Sequence, residues 1–171
     1  MFFKTDKECS ELARFLGFDP EALAKQQFPP STSPNVIRLS IEDSRRAAYV
    51  LAKRLVSWLG PFRGCLLWVT EYGIWPSSEN RHLYYRLRAS YGDLRELQAA
   101  PGHEFLDYET ADLVTFVDLV IQFGWGAYLL PIVGQACIFI SHDGWVQVES
   151  ESDKDRILSD IQALGLPYEL A

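Results

Sequence analysis

The sequence predicts an α+β domain with an antiparallel or mixed sheet that ends in a three-strand meander, and with helices packed on that sheet. Three observations carry this reading. Residues 65–70, Cys-Leu-Leu-Trp-Val-Thr, form an unbroken apolar run of strand length, the pattern of a central strand covered on both faces. Residues 127–131, 136–141 and 145–149 read as three short strands joined by Val133-Gly134-Gln135 and His142-Asp143-Gly144, and Asp-Gly is a strong hairpin signal. The remaining apolar residues recur mostly at helical spacing, without the regular strand–helix alternation of a doubly wound parallel fold.

The elements follow in chain order. Thr5-x-x-Glu8 is a capping-box pattern for a helix through about Leu16, with Gly17 as its stop. Asp19-Pro20 opens a second, short helix, proline standing where its missing N–H costs nothing. Pro29, Pro30 and Pro34 make the next stretch an extended connector. Residues 1–28 therefore read as a small N-terminal helical extension, and residues 36–171 as a single α+β domain. Ile37, Leu39 and Ile41 alternate with polar residues in a short edge strand. Ser40 or Asp43 then caps a long helix to Leu59, closed by Gly60-Pro61. Ser77 or Ser78 caps a helix from about Glu79 to Ser90. A polar loop is expected around Ala100-Pro101-Gly102-His103, then a core-facing helix over 108–123. Ser152-x-x-Asp155 precedes a final amphipathic helix that stops at Gly165.

Composition narrows the function classes. Hydrophobic residues make up 48% and aromatic residues 13% of the 171-residue chain, enough for a packed core and unlike a disordered chain. No apolar run approaches the roughly 18–20 residues of a membrane-spanning helix, and the first residues turn charged before a signal-peptide core forms. Cys9, Cys65 and Cys137 are too scattered for a disulfide framework or zinc site, which points to a reducing cytoplasm. The net charge of −7 is lopsided: residues 101–171 hold twelve acids against Lys154 and Arg156. Such acidity repels phosphate backbones, so nucleic acid is not expected and a basic protein partner is. Acids that serve solubility alone would give the same pattern.

Motifs of specific chemistry are missing: no phosphate-cradling loop, nucleophile elbow, His-Glu-x-x-His or Cys-x-x-Cys occurs. Three candidate sites remain, each with a plain structural alternative. Trp75, Ser78 and Arg81 flank a helix start that could hold an anion or carboxylate, or could simply cap the helix. His103 stands near Glu109 and Asp112, one imidazole among carboxylates, suited to a metal or to acid–base work, or to complementing a helix dipole. His142 and Asp143 form a hairpin tip flanked by Trp125 and Trp145. Neighbours in a turn cannot line up as a catalytic triad with Ser141, but they can recognise a partner, or just make a good turn. Cys65 and Cys137 read as inert packing. Arg81, Arg86, Arg88 and Arg95 read as a solvated face or as partners for the acids of residues 104–118.

The motifs Ile74-Trp75-Pro76-Ser77-Ser78-Glu79-Asn80, Leu83-Tyr84-Tyr85-Arg86-Leu87-Arg88, Gly102-His103-Glu104-Phe105-Leu106, Gly124-Trp125-Gly126 and Ser141-His142-Asp143, in that order over residues 70–149, resemble a family of bacterial proteins to which no activity is attached. Small acidic α+β proteins of this kind also resemble immunity proteins that neutralise toxins. The leading expectation is a non-catalytic protein-binding module, of immunity type, with an acidic C-terminal half that meets a basic partner, and with no cofactor. Two alternatives stand beside it: a metal-assisted hydrolase using His103 or His142 with Glu109 or Asp112, and a small-ligand or sugar-binding domain built on Trp75 and Trp125.

Overall fold

A strand buried on both faces organises the molecule. In the computed structural model, which describes residues 1–25, 36–41, 44–72, 81–134, 136–150 and 153–170, that strand is β3, Gly64–Glu71. Its neighbours follow in chain order: β1 (Phe2–Lys4), α1 (Asp6–Phe15), α2 (Pro20–Ala24), β2 (Val36–Ser40) and α3 (Arg45–Trp58) precede it. After it come α4 (Arg81–Ser90), β4 (Gly102–Leu106), a 3₁₀ turn (Asp107–Glu109), α5 (Thr110–Gln122), β5 (Gly126–Ile132), β6 (Ala136–Ile140), β7 (Trp145–Ser150), α6 (Lys154–Leu164) and β8 (Tyr168–Leu170). The described strands form one sheet in the order β1-β4-β3-β5-β6-β7-β2-β8, every neighbouring pair antiparallel. The fold is α+β, as the sequence predicts.

Alternation along β3 splits the core in two. Cys65, Leu67 and Val69 face a large cluster with Ile37, Leu39, Leu129, Ile138, Val146 and Val148, roofed by α3, α5 and α6. Leu66 and Trp68 face the other way, with Tyr128, Leu130 and Phe139, under Cys9 and Ala13 of α1 and Leu23 of α2. Each such side chain contributes about 1.5–3 kcal/mol on burial, so a strand with two apolar faces demands two layers of cover. The N-terminal segment supplies the second layer.

The caps fall largely where the sequence puts them. The Thr5 hydroxyl accepts from the Glu8 N–H while the Glu8 carboxylate accepts from the Thr5 N–H at 2.7 Å. Asp19 caps α2 with Pro20 behind it. Ser44, rather than Ser40 or Asp43, caps α3 by accepting from the Ala47 N–H at 3.0 Å. Gly144 takes φ 81° in the β6–β7 turn, a value few side chains tolerate. The connector over 28–34, the Ser77–Ser78 cap, Gln135 of the first meander turn and Ser152 lie outside the described residues.

Three expectations need correction. Residues 36–40 are not an edge strand, because β8 pairs outside them through Leu39↔Tyr168 and Ile37↔Leu170. Residues 102–106 are not a loop but β4, paired with β3 on one side and β1 on the other. The N-terminal segment forms its two helices and also donates the edge strand β1. The three-residue strands β1 and β8 are too short for a periodic signal, and His103 and Glu104 disguise β4.

Gly102 is the contact that lets α1 approach. A Cβ there would stand 2.2 Å from the Cys9 sulfur and 2.8 Å from the Lys4 Cβ, so any larger residue pushes the second layer off the sheet. Gly102→Ala is expected to lower the unfolding free energy by about 1–3 kcal/mol, the usual range for overpacking. Urea denaturation followed by tryptophan fluorescence measures it, and an unchanged midpoint would contradict the close approach.

Candidate functional site

Of the residues singled out from the sequence, His142, Asp143 and Trp145 come together, on the β6–β7 hairpin. The turn is built from its own polar groups. The Ser141 N–H donates to the Trp145 carbonyl at 2.8 Å, and the Asp143 N–H donates to the Ser141 hydroxyl at 3.1 Å. The Ile41 N–H donates to the Gly144 carbonyl at 2.8 Å and ties the turn to the end of β2. The His142 ring lies between two carboxylates, its Nδ1 against Glu71 at the end of β3 and its Nε2 3.2 Å from Asp143. Asp143 itself stays 65% exposed. Ser141 thus serves the turn and forms no triad.

From this tip a polar and aromatic strip runs along the sheet. Trp145, Gln147 and Glu149 share one face of β7 by alternation, and Arg38 and Ser40 oppose them on β2 in the pairs Arg38↔Gln147 and Ser40↔Trp145. The Arg38 guanidinium lies 4.4 Å from the centroid of the Trp145 ring and donates to the Gln147 side-chain oxygen at 3.2 Å. Phe139 meets the other part of the indole edge-on at 5.3 Å. Glu169 of β8 stands across from Arg38. The core cluster under α1 and α2 draws its strand residues from β3, β5 and β6, with the half-buried Cys137 and Trp145 at its rim, while Arg38, Ser40 and Glu169 are exposed. Arginine and tryptophan held rigid by stacking and by a hydrogen bond are the side chains that anchor protein interfaces.

The other candidates are elsewhere. His103 is fully buried on β4, opposite Leu67. Arg88 donates to the Tyr84 hydroxyl at 3.0 Å, that hydroxyl lies 2.6 Å from His103 Nε2, and His103 Nδ1 lies 3.4 Å from the Leu67 carbonyl. The chain of donors assigns the proton to Nδ1, since Tyr84 accepts from Arg88 and so donates to Nε2. Burial first, and the Arg88 charge second, push the His103 pKa down to about 3. Glu109 accepts from the Leu106 N–H at 2.8 Å and pairs with the amino group of Met1. Burial works against its ionisation, but these two partners hold its pKa below the ordinary carboxylate value. Asp112 engages the Tyr91 hydroxyl, whose pKa rises to about 12, through burial first and that contact second. His103, His142, Glu109 and Asp112 thus each have separate partners. Among the described residues no group of three or more His, Cys, Asp and Glu side chains could hold a metal ion.

Trp125 is also reassigned. It is 3% exposed and packed against Tyr84 and Phe123, at ring separations of 5.1 and 4.9 Å, so its ring cannot line a sugar pocket. Trp75 and Ser78 lie outside the described residues, as does the side chain of Arg81. Trp58 and Trp68 are core residues, as read from the sequence, with indole N–H groups donating to Asp160 and Asp6. Cys9 and Cys137 have pKa values pushed up to about 12 by burial, and Cys65 is pushed up further by burial, which favours the protonated thiols.

One charge pattern differs from expectation. Arg88 is not on a solvated face: it is fully buried, 3.4 Å from Asp93 and stacked over Phe3 at 4.7 Å. Some acids of residues 101–171 are paired with cations of this chain. Glu104 pairs with Lys4 at one end of the sheet, while Asp153 pairs with Arg156 and Asp160 with Arg54 around α6. Cations from the first third of the chain neutralise part of the C-terminal excess. Comparison with protein-family models, with curated proteins and with solved structures finds no match for the chain.

Because folding depresses the His103 pKa from 6.5 to about 3, the native state binds fewer protons than the unfolded one across that interval. Its contribution to stability is present above pH 6.5 and is lost as pH falls towards 3. Between pH 6.5 and 4 the unfolding free energy is expected to fall with a slope approaching one proton, and His103→Gln to flatten that slope; nitrogen NMR at pH 6 should show a neutral ring protonated at Nδ1. A His103 that titrates near 6.5 would overturn the assignment.

Proposed function

We propose that the protein is a non-catalytic binding module that docks a basic protein partner on the strip formed by β7, β2 and β8, next to the β6–β7 hairpin. The observation that supports this is the Arg38–Trp145 stack: a preorganised aromatic and guanidinium pair, half-open to solvent, beside the sheet layer that α1 and α2 cover. Order costs little here, because the ring is already braced by Phe139 and the guanidinium by Gln147. The charge around the stack favours a cationic partner. Glu169 stands across from Arg38 and Asp143 is exposed at the tip, so lysine and arginine side chains of a partner meet acids while an apolar side chain meets the indole. Neutralising a basic toxin, in the manner of immunity proteins, is one form this function takes.

The test is affinity capture from the source organism with the wild-type protein and with Trp145→Ala and Arg38→Ala, each verified as folded by circular dichroism. A basic partner retained by the wild type should be lost at least tenfold by Trp145→Ala, as expected for removal of about 1.4 kcal/mol or more of anchor energy. Its retention should fall as salt rises from about 50 to 300 mM, within which range exposed charges become screened. An acidic partner, or one held equally by both variants, would overturn the reading.

A further inference from the structure

On the opposite side of the sheet, α3 carries a different kind of surface. Its fourteen residues, Arg45–Trp58, include Arg45, Arg46, Lys53 and Arg54 and no acid. The buried side of the helix is Ala48, Leu51, Ala52, Leu55, Val56 and Trp58, which turns all four cations outward, with Tyr49 and Val50 between them. Tyr49 is 49% and Val50 37% exposed. Two arginines in the first turn oppose the positive end of the helix dipole, a local cost of about 0.3–1 kcal/mol each that folding does not require. Arg54 is partly engaged, 3.8 Å from Asp160, whereas Arg45, Arg46 and Lys53 have no acid within ion-pair distance among the described residues. Glu42 and Asp43, just before the cap, lie outside those residues.

Alongside the cations runs an apolar groove. It is a trough of about 260 Å³ between α3 and the end of α6, floored by Ala47, Val50, Leu51, Leu164 and Leu166, with Arg46 at its rim. Leu164 and Leu166 are half-buried, and their exposed flanks continue the stripe that begins at Val50. On a helix the rise of about 1.5 Å per residue places Arg46 and Lys53 roughly 10 Å apart on one stripe, with Val50 between them. The complementary object is another helix: leucine-type side chains at helical spacing for the trough, and carboxylates about two turns apart for Arg46 and Lys53.

We propose that the α3–α6 groove is a docking site for an acidic amphipathic helix of a protein partner. Charge complementarity selects acid over base, and the aliphatic floor selects a peptide over a phosphate backbone, which has nothing to place in an apolar trough. The site is separate from the Arg38–Trp145 strip and prefers the opposite charge. A molecule with both would bridge a basic and an acidic protein.

The probe is a fluorescein-labelled synthetic helix of about 18 residues, leucines at i, i+3, i+4 and i+7 and glutamates on the flanks, read by fluorescence anisotropy against a twin in which every glutamate is lysine. The acidic peptide should bind with a Kd in the micromolar range, at least tenfold weaker to Arg46→Glu/Lys53→Glu and to Val50→Asp, and unchanged by Trp145→Ala. Arg46, Val50 and Lys53 are exposed and Trp145 is half-buried, so the variants are expected to fold, and circular dichroism checks this. Amide shifts on adding peptide should cluster on α3 and α6. Failure of the acidic peptide to bind, equal binding of both twins, or insensitivity to the charge reversal would overturn the proposal. So would tighter binding of polyuridylate or of phosphatidylserine vesicles, which would make the surface a phosphate reader instead. Neither result would bear on the strip, because Trp145→Ala tests that face alone.

Discussion

The two-sided burial of β3 is the constraint from which the architecture follows. Cys65, Leu67 and Val69 on one face and Leu66 and Trp68 on the other are all at most 2% exposed, so the sheet cannot be left bare on either side of this strand. α3 and α5 roof one face. The other face is closed by α1 and α2, brought down onto β4 where Gly102 has no side chain to hold them away. What the N-terminal helices do not reach is as informative as what they cover. Their cluster stops at Phe139 and the rim of Trp145, and the surface proposed for recognition begins there.

Within the core, polar groups are used for shape and position. Arg88, Tyr84 and His103 form one line of donors and acceptors between α4 and β4, and Phe3 and Phe116 pack against its rings. A buried guanidinium is costly unless paired, and Asp93, itself held by Arg95, supplies the counter-charge. The network ties α4 to β4, next to the edge strand β1. It also separates the imidazole from the carboxylates that surround it in sequence: Glu104 points to the opposite face of β4, and Glu109 and Asp112 engage Met1 and Tyr91.

Much of this was legible from the residues and some was not, for physical reasons. Helices announce themselves through local chemistry, so the Thr5–Glu8 box, Asp19-Pro20 and the stripes of α3, α5 and α6 were readable one segment at a time. The meander was readable because Asp143-Gly144 fixes a tight turn between alternating strands. β1 and β8 were not, since three residues carry no period and their partners lie far along the chain. Arg88 looked solvent-facing because its compensation by Asp93 is tertiary. At the candidate site, His142, Asp143 and Trp145 were legible as a hairpin tip, but Arg38 was not: its role depends on a cross-strand register that pairs it with Gln147. Net charge counted by segment was the least reliable guide, because Lys4 and Arg54 cancel acids that follow them by a hundred residues.

The same long pairing has a consequence for how the protein is made. Phe2 registers with Glu104, so β1 has no partner until roughly a hundred further residues have been added. At about 5–20 residues per second that is a wait of roughly 5–20 s. Over that interval Phe2, Phe3 and the greasy side of α1 have no sheet to rest on, and a nascent-chain chaperone that favours aromatic and aliphatic segments would find its ligand there.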